Sequence, residues 1–114
     1  MKYKGYVAID FDGTITSRNN FPEISPIRPY AKEVIAALRA DGWYCYLWTC
    51  RTDKTLVKAI NFLNENGIEL DSYNKGPSTG SPKLIATTYI DDAAYPNHGY
   101  IDWEQVAKYF GVSY

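Results

Sequence analysis

Soft metal ligands are scarce in this 114-residue chain, which has two cysteines, one histidine and one methionine. Cys45 and Cys50 stand five apart, which matches neither a zinc spacing nor a secreted disulfide framework, so a reducing cytoplasm is the default expectation. A nucleophilic Cys50 would need a partner base, and His98 lies far from it in sequence. One-signed charge is lacking too: 12 Lys and Arg against 13 Asp and Glu give a net charge of −1. No basic field gathers nucleic acid in bulk and no polybasic stretch suits a membrane surface, although a nucleic-acid end remains open as a substrate. Long apolar runs are also missing. Nothing approaches the roughly 18 residues of a membrane span, and the apolar part of "MKYKGYVAID" is too short for a signal segment. With no repeat, low-complexity tract or dividing linker, residues 1–114 are expected to form one domain.

What is present is an ordinary globular composition, 46% hydrophobic and 22% charged, with an unusual eleven tyrosines. Rings used as core with the hydroxyl at a wet edge account for most of them. A tyrosine-rich face between copies of the chain is the other use, so a homo-oligomer stays open.

Periodicity divides the chain into alternating elements. Residues 5–10, "GYVAID", form a continuous apolar run ending in a charge, the pattern of a central strand buried on both faces. Glycine, asparagine and proline make 13–28 a loop with room for a small hairpin. A helix is expected over about 29–40, with Pro29 in its first turn, Val34, Ile35 and Leu38 as its apolar stripe and Gly42 as its stop. "WYCYLWT" at 43–49 reads as a strand. Thr52 or Asp53 caps a second helix carrying Leu56, Val57, Ile60 and Leu63. "IEL" at 68–70 is a candidate edge strand, 74–83 a loop, and "ATTYIDD" at 86–92 a further strand. Asp102, with Gln105 three residues on, opens a last helix as a capping box would. Strand–helix alternation predicts an α/β, Rossmann-like three-layer sandwich with a mainly parallel central sheet.

Ligands of such a sheet bind beyond the carboxyl ends of its strands. Three expected strands end there in polar chemistry: Asp10 and Asp12, then Thr49, then Asp91 and Asp92. Carboxylates gathered at one edge repel unless a hard cation joins them, and Mg²⁺ takes carboxylates, waters and phosphate oxygens. Residues i and i+2 of an extended chain stand roughly 6.6 Å apart, enough to seat a phosphoryl group between Asp10 and Asp12. Asp10 then fits the nucleophile and Asp12 the proton donor to the leaving oxygen. Thr49, with Cys50 beside it, offers a hydroxyl and backbone N–H donors to the phosphate, and Lys83 a compact positive charge. Arg51 is a candidate for a further anion contact, with a surface salt bridge as its alternative. Arg18, Asn19 and Asn20 are candidates to touch substrate from the first loop.

These residues carry a resemblance. "DFDGTIT" resembles the first signature of the haloacid dehalogenase-like hydrolases, D-x-D-x-[TV], with Asp10, Asp12 and Thr14 at its key positions. "CYLWT" ending in Thr49, then Lys83, then "YIDD" resemble the second, third and fourth signatures, in order across residues 7–92. The resemblance implies Mg²⁺-dependent phosphoryl transfer through an aspartyl-phosphate. Asp10 would be nucleophile and metal ligand. Asp12 would be general acid/base and give the metal its carbonyl. Thr49 and Lys83 would hold phosphate, and Asp91, with Asp92 beside it, would complete the metal site, Asp91 being favoured as the direct ligand. Many members carry a large cap domain, and this chain has no segment long enough for one. An open site suits a phosphorylated small molecule or a macromolecular end. A receiver-like phosphoacceptor or a non-catalytic binding protein on the same fold are the competing expectations.

Overall fold

The apolar run does become the central strand. In a computed structural model, which describes residues 3–75, 88–93 and 99–114, β1 (Gly5–Ile9) lies between β2 (Trp43–Leu47) and β4 (Thr88–Ile90). The two-residue β3 (Ser72–Tyr73) pairs with the far side of β2. The order β3-β2-β1-β4, parallel throughout, places the fold in the Rossmann-like, three-layer α/β class. Of its layers, the described residues supply the sheet and the helices on one face.

Register decides which side chains meet. Ile9 pairs with Leu47 and with Ile90, and Val7 with Cys45. Alternation therefore puts these five on one face. They share a single buried core with Val34, Ile35 and Leu38 of α1 (Ala31–Ala40), Ala59 and Leu63 of α2 (Asp53–Glu65), and Trp103 and Ala107 of α3 (Trp103–Phe110). The other face carries Tyr6, Ala8, Tyr44, Tyr46 and Tyr89. Tyr3 and Tyr6 meet Tyr44 edge-on, with ring centroids 5.1 and 5.9 Å apart. Tyr46 is fully buried there, and that burial pushes its hydroxyl up to about 12. Much of the tyrosine excess thus serves as the second surface of the sheet.

Some boundaries differ from those expected. Tyr30 precedes α1 in a left-handed conformation, φ 68°, which leaves Pro29 outside the helix. In α2 Ala59 and Leu63 are buried with Leu56 half-buried against the same core, while Val57, about 100° around the helix from Leu56, is 55% exposed. Ile68 and Leu70 of the candidate strand pack into the core instead, and edge pairing begins only once Asp71 N–H reaches the Cys45 carbonyl at 2.7 Å. Asp102 does cap α3, but its carboxylate takes the Glu104 N–H at 3.0 Å. The first loop forms the small hairpin: Thr16 and Ile27 bridge antiparallel, and residues 17–26 project between them as a flap. Among the described residues no helix is long and apolar enough to cross a membrane.

Candidate functional site

Both neighbours of β1 hold its end. The Ile9 carbonyl accepts the Trp48 N–H at 2.8 Å, and the Asp10 N–H reaches the Ile90 carbonyl at 2.9 Å. Asp10 is therefore fixed at the carboxyl edge of the sheet, with the first residue after β4, Asp91, beside it. The carboxylates of Asp10, Asp91 and Asp92 offer oxygens that all lie within 4.8 Å of one another.

A tight turn completes the arrangement. The Thr14, Ile15 and Thr16 N–H groups all converge on the Phe11 carbonyl, at 3.1 to 3.2 Å. That turn needs Gly13, whose φ is +83° and where a Cβ would collide with the Asp92 carboxylate. Thr14 then serves both acidic ends: its hydroxyl donates to Asp10 Oδ2 at 3.1 Å and accepts the Asp92 N–H at 2.9 Å. The Trp103 indole donates to the Thr14 carbonyl at 2.9 Å, and Arg28 donates twice to the Gly13 carbonyl, at 2.7 and 3.1 Å.

Crowding of like charge has its electrostatic mark. Burial pushes the Asp10 carboxyl up to about 7, and the Asp91 charge raises it further than the Asp92 charge does. The Phe11 N–H and the Thr14 hydroxyl pull the other way. Asp92 is also raised, first by burial and then by Asp91, with Arg28 opposing. A trio of carboxylates that resists full ionisation, offering oxygen donors alone, is a donor set that fits a hard divalent cation.

The Asp12 carboxylate is not in this trio. It turns to Arg51, whose Nε and Nη2 each meet one of its oxygens at 2.7 Å. Any part Asp12 takes in holding metal thus falls to its backbone. Arg51 is 1% exposed, and its other N–H groups reach the carbonyls of Pro22, Glu23 and Thr55. All five guanidinium donors are used inside the protein, so the expected anion contact by Arg51 is replaced by a buried salt bridge.

Thr49 follows β2 at the same edge, where its Oγ1 accepts the Arg51 N–H at 3.2 Å. Cys50 is exposed beside it. Lys83 lies outside the described residues. Arg18, Asn19 and Asn20 are exposed at the root of the flap, where the Asn19 carbonyl oxygen Oδ1 accepts the Phe21 N–H.

Sequence reasoning missed Arg28 and Asn74. Asn74 clamps the loop after β2: its Oδ1 accepts the Thr49 N–H at 2.7 Å and its Nδ2 donates to the Arg51 carbonyl at 2.9 Å. Its φ of 52° is a conformation asparagine tolerates, but nothing local marks that from the sequence. A cavity of about 490 Å³ lies elsewhere, between β4 and α3, lined by Tyr89, Tyr100, Val106 and Tyr109 and by none of Asp10, Asp12, Asp91 and Asp92. The acidic trio lies on the open rim instead.

Neither the family models nor the curated proteins compared with this chain match it. A solved structure does, that of the conserved protein coded by locus from Bacteroides thetaiotaomicron, with a TM-score of 0.82 and 30% sequence identity. The alignment covers 94% of this chain and 89% of that one. Identity at that level over nearly the whole of both chains means that this chain belongs to the same family as the conserved Bacteroides thetaiotaomicron protein.

Proposed function

We propose that the protein is a Mg²⁺-dependent phosphomonoesterase of the haloacid dehalogenase-like type, acting through a phosphoryl group carried on Asp10. The observation that carries this reading is the meeting of Asp10, Asp91 and Asp92 at the ends of two adjacent parallel strands. Three acids held that close repel one another, and a cation together with a phosphate would offset that repulsion.

Asp10, Asp91 and Asp92 would hold the ion, which supplies positive charge to the phosphate oxygens and favours the ionised form of Asp10. Thr14 restrains one Asp10 oxygen. An Asp10 carboxylate oxygen attacks phosphorus, the bond from phosphorus to the ester oxygen breaks, and the leaving alcohol takes a proton. Asp12, on the flap side of the nucleophile, is the group that gives that proton, after taking one up from solvent on an oxygen released from Arg51. In the second half Asp12 takes a proton from water, which attacks the phosphoryl group, and the Asp10–phosphorus bond breaks to release inorganic phosphate. Thr49 and the N–H groups of its loop, with Lys83, complete the reading as the phosphate contacts. With a ten-residue flap in place of a cap domain, phosphorylated small molecules and macromolecular ends both have access.

Hydrolysis of an aryl phosphate tests it. Turnover should require Mg²⁺, stop with chelator and be lost in Asp10→Asn. Full turnover in chelator, or in Asp10→Asn, would contradict the proposal, and a stable phosphoprotein without turnover would favour a phosphoacceptor.

A further inference from the structure

Arg51 has no part in the chemistry described so far, yet it is the most heavily bonded side chain at the rim. A buried guanidinium needs a carboxylate, and four stand nearby in sequence or space. It pairs with the one outside the acidic trio, through both oxygens. It accepts nothing and donates everywhere: to Asp12 of the motif turn, to Pro22 and Glu23 of the flap, and to Thr55 of α2. Its guanidinium carbon lies 5.2 Å from the Phe11 ring centroid and 5.0 Å from that of Phe21, which is 55% exposed at the flap surface.

We propose that Arg51 is a positioning residue that sets the Asp12 carboxylate and flap residues 21–23 as one unit, so that proton delivery to the leaving group depends on it. The inference rests on the phosphatase reading of the site. Two consequences of the geometry carry it. Drawing the Asp12 carboxylate to Arg51 keeps a fourth negative charge out of the trio. Because the same planar group holds Asp12 and two flap carbonyls, Asp12 cannot shift without disturbing the flap. A bidentate fork supplies that geometry, whereas an ammonium at the same place supplies charge alone. If Asp12 protonates the leaving oxygen, the leaving group lies on the flap side, where Phe21 presents its free face. To take up a proton and deliver it, Asp12 must free one oxygen from its two Arg51 N–H bonds, so the flap that meets the leaving group also controls the proton.

The test compares Arg51→Lys and Arg51→Met with wild type on two substrates. In p-nitrophenyl phosphate the leaving group departs without help; in an alkyl phosphate it needs the proton. Because each variant is its own control, a reduced folded fraction cancels from the ratio of the two rates. Arg51→Met should lose on the order of tenfold more kcat/KM on the alkyl phosphate than on the aryl one, with Arg51→Lys between it and wild type. Equal losses on both substrates would reduce Arg51 to a structural residue and overturn the proposal. Amide hydrogen exchange over residues 19–24 gives a readout independent of catalysis: it should quicken in Arg51→Lys, and unchanged exchange would overturn the coupling to the flap. Should wild type hydrolyse neither ester, the phosphatase reading fails separately, and exchange alone then decides whether Arg51 holds the flap.

Discussion

At the scale of single residues, gathering the acids costs stability. Asp10 has its carboxyl pushed up to about 7 from an ordinary 3.8, so the folded chain binds its proton more tightly than the unfolded chain does. Below the ordinary value both forms are protonated and the group contributes nothing. Between about 4 and 7 the unfolded chain gives up the proton first, and folding loses stability as pH rises. Metal-free wild type should therefore lose stability from pH 5 to pH 8 by this route, and Asp10→Asn should be the more stable protein at pH 8. Urea unfolding of both proteins in chelator at the two pH values measures this; a variant weaker than wild type at pH 8 would contradict it. Asp12 belongs to a different balance. Its carboxylate faces Arg51 and not the trio, so Asp12→Asn should change Mg²⁺ affinity by no more than a few-fold, while Asp91→Asn lowers it at least tenfold. Calorimetric titration of the two variants separates these cases.

Among elements, the turn after β1 matters most, because it links the end of one strand to the end of another. Gly13 permits it by a positive φ and by leaving room for the Asp92 carboxylate. Gly13→Ala should cost about 1–2 kcal/mol in backbone strain and also displace Asp92. Mg²⁺ affinity should thus fall more than the loss of stability accounts for. Calorimetry and thermal melts of the same sample check this, and unchanged affinity would contradict it. The elements also show what a sequence can reveal. β1, β2 and β4 were legible because apolar runs ending in Asp10, Thr49 and Asp91 carry their own signal. The edge strand was misplaced, since Ile68 and Leu70 look the same whether they pair or pack, and only contact with Cys45 distinguishes the two. Arg51 was legible as a charge but not as a partner of Asp12: the two stand 39 positions apart and meet only through the β1–β2 register.

For the whole molecule, a near-neutral net charge conceals an acidic rim, and under the proposed function metal and protons would compete for it. Mg²⁺ binding near neutral pH should release protons, and affinity should fall by about tenfold per pH unit below 7 as Asp10 retains its proton. Titrations in buffers of different ionisation enthalpy count the protons released; affinity independent of pH between 5 and 7 would contradict the account. The parallel topology makes this site possible, since it alone brings residues 10 and 91 to one edge from opposite ends of the chain. What the account requires above all is that Asp10 bear the transferred group. Mass spectrometry of acid-quenched protein after brief reaction with an aryl phosphate and Mg²⁺ measures that directly. A phosphoryl group on the peptide containing Asp10, absent in Asp10→Asn, is the predicted result; a phosphoryl group on another residue, or turnover that persists in Asp10→Asn, would contradict it.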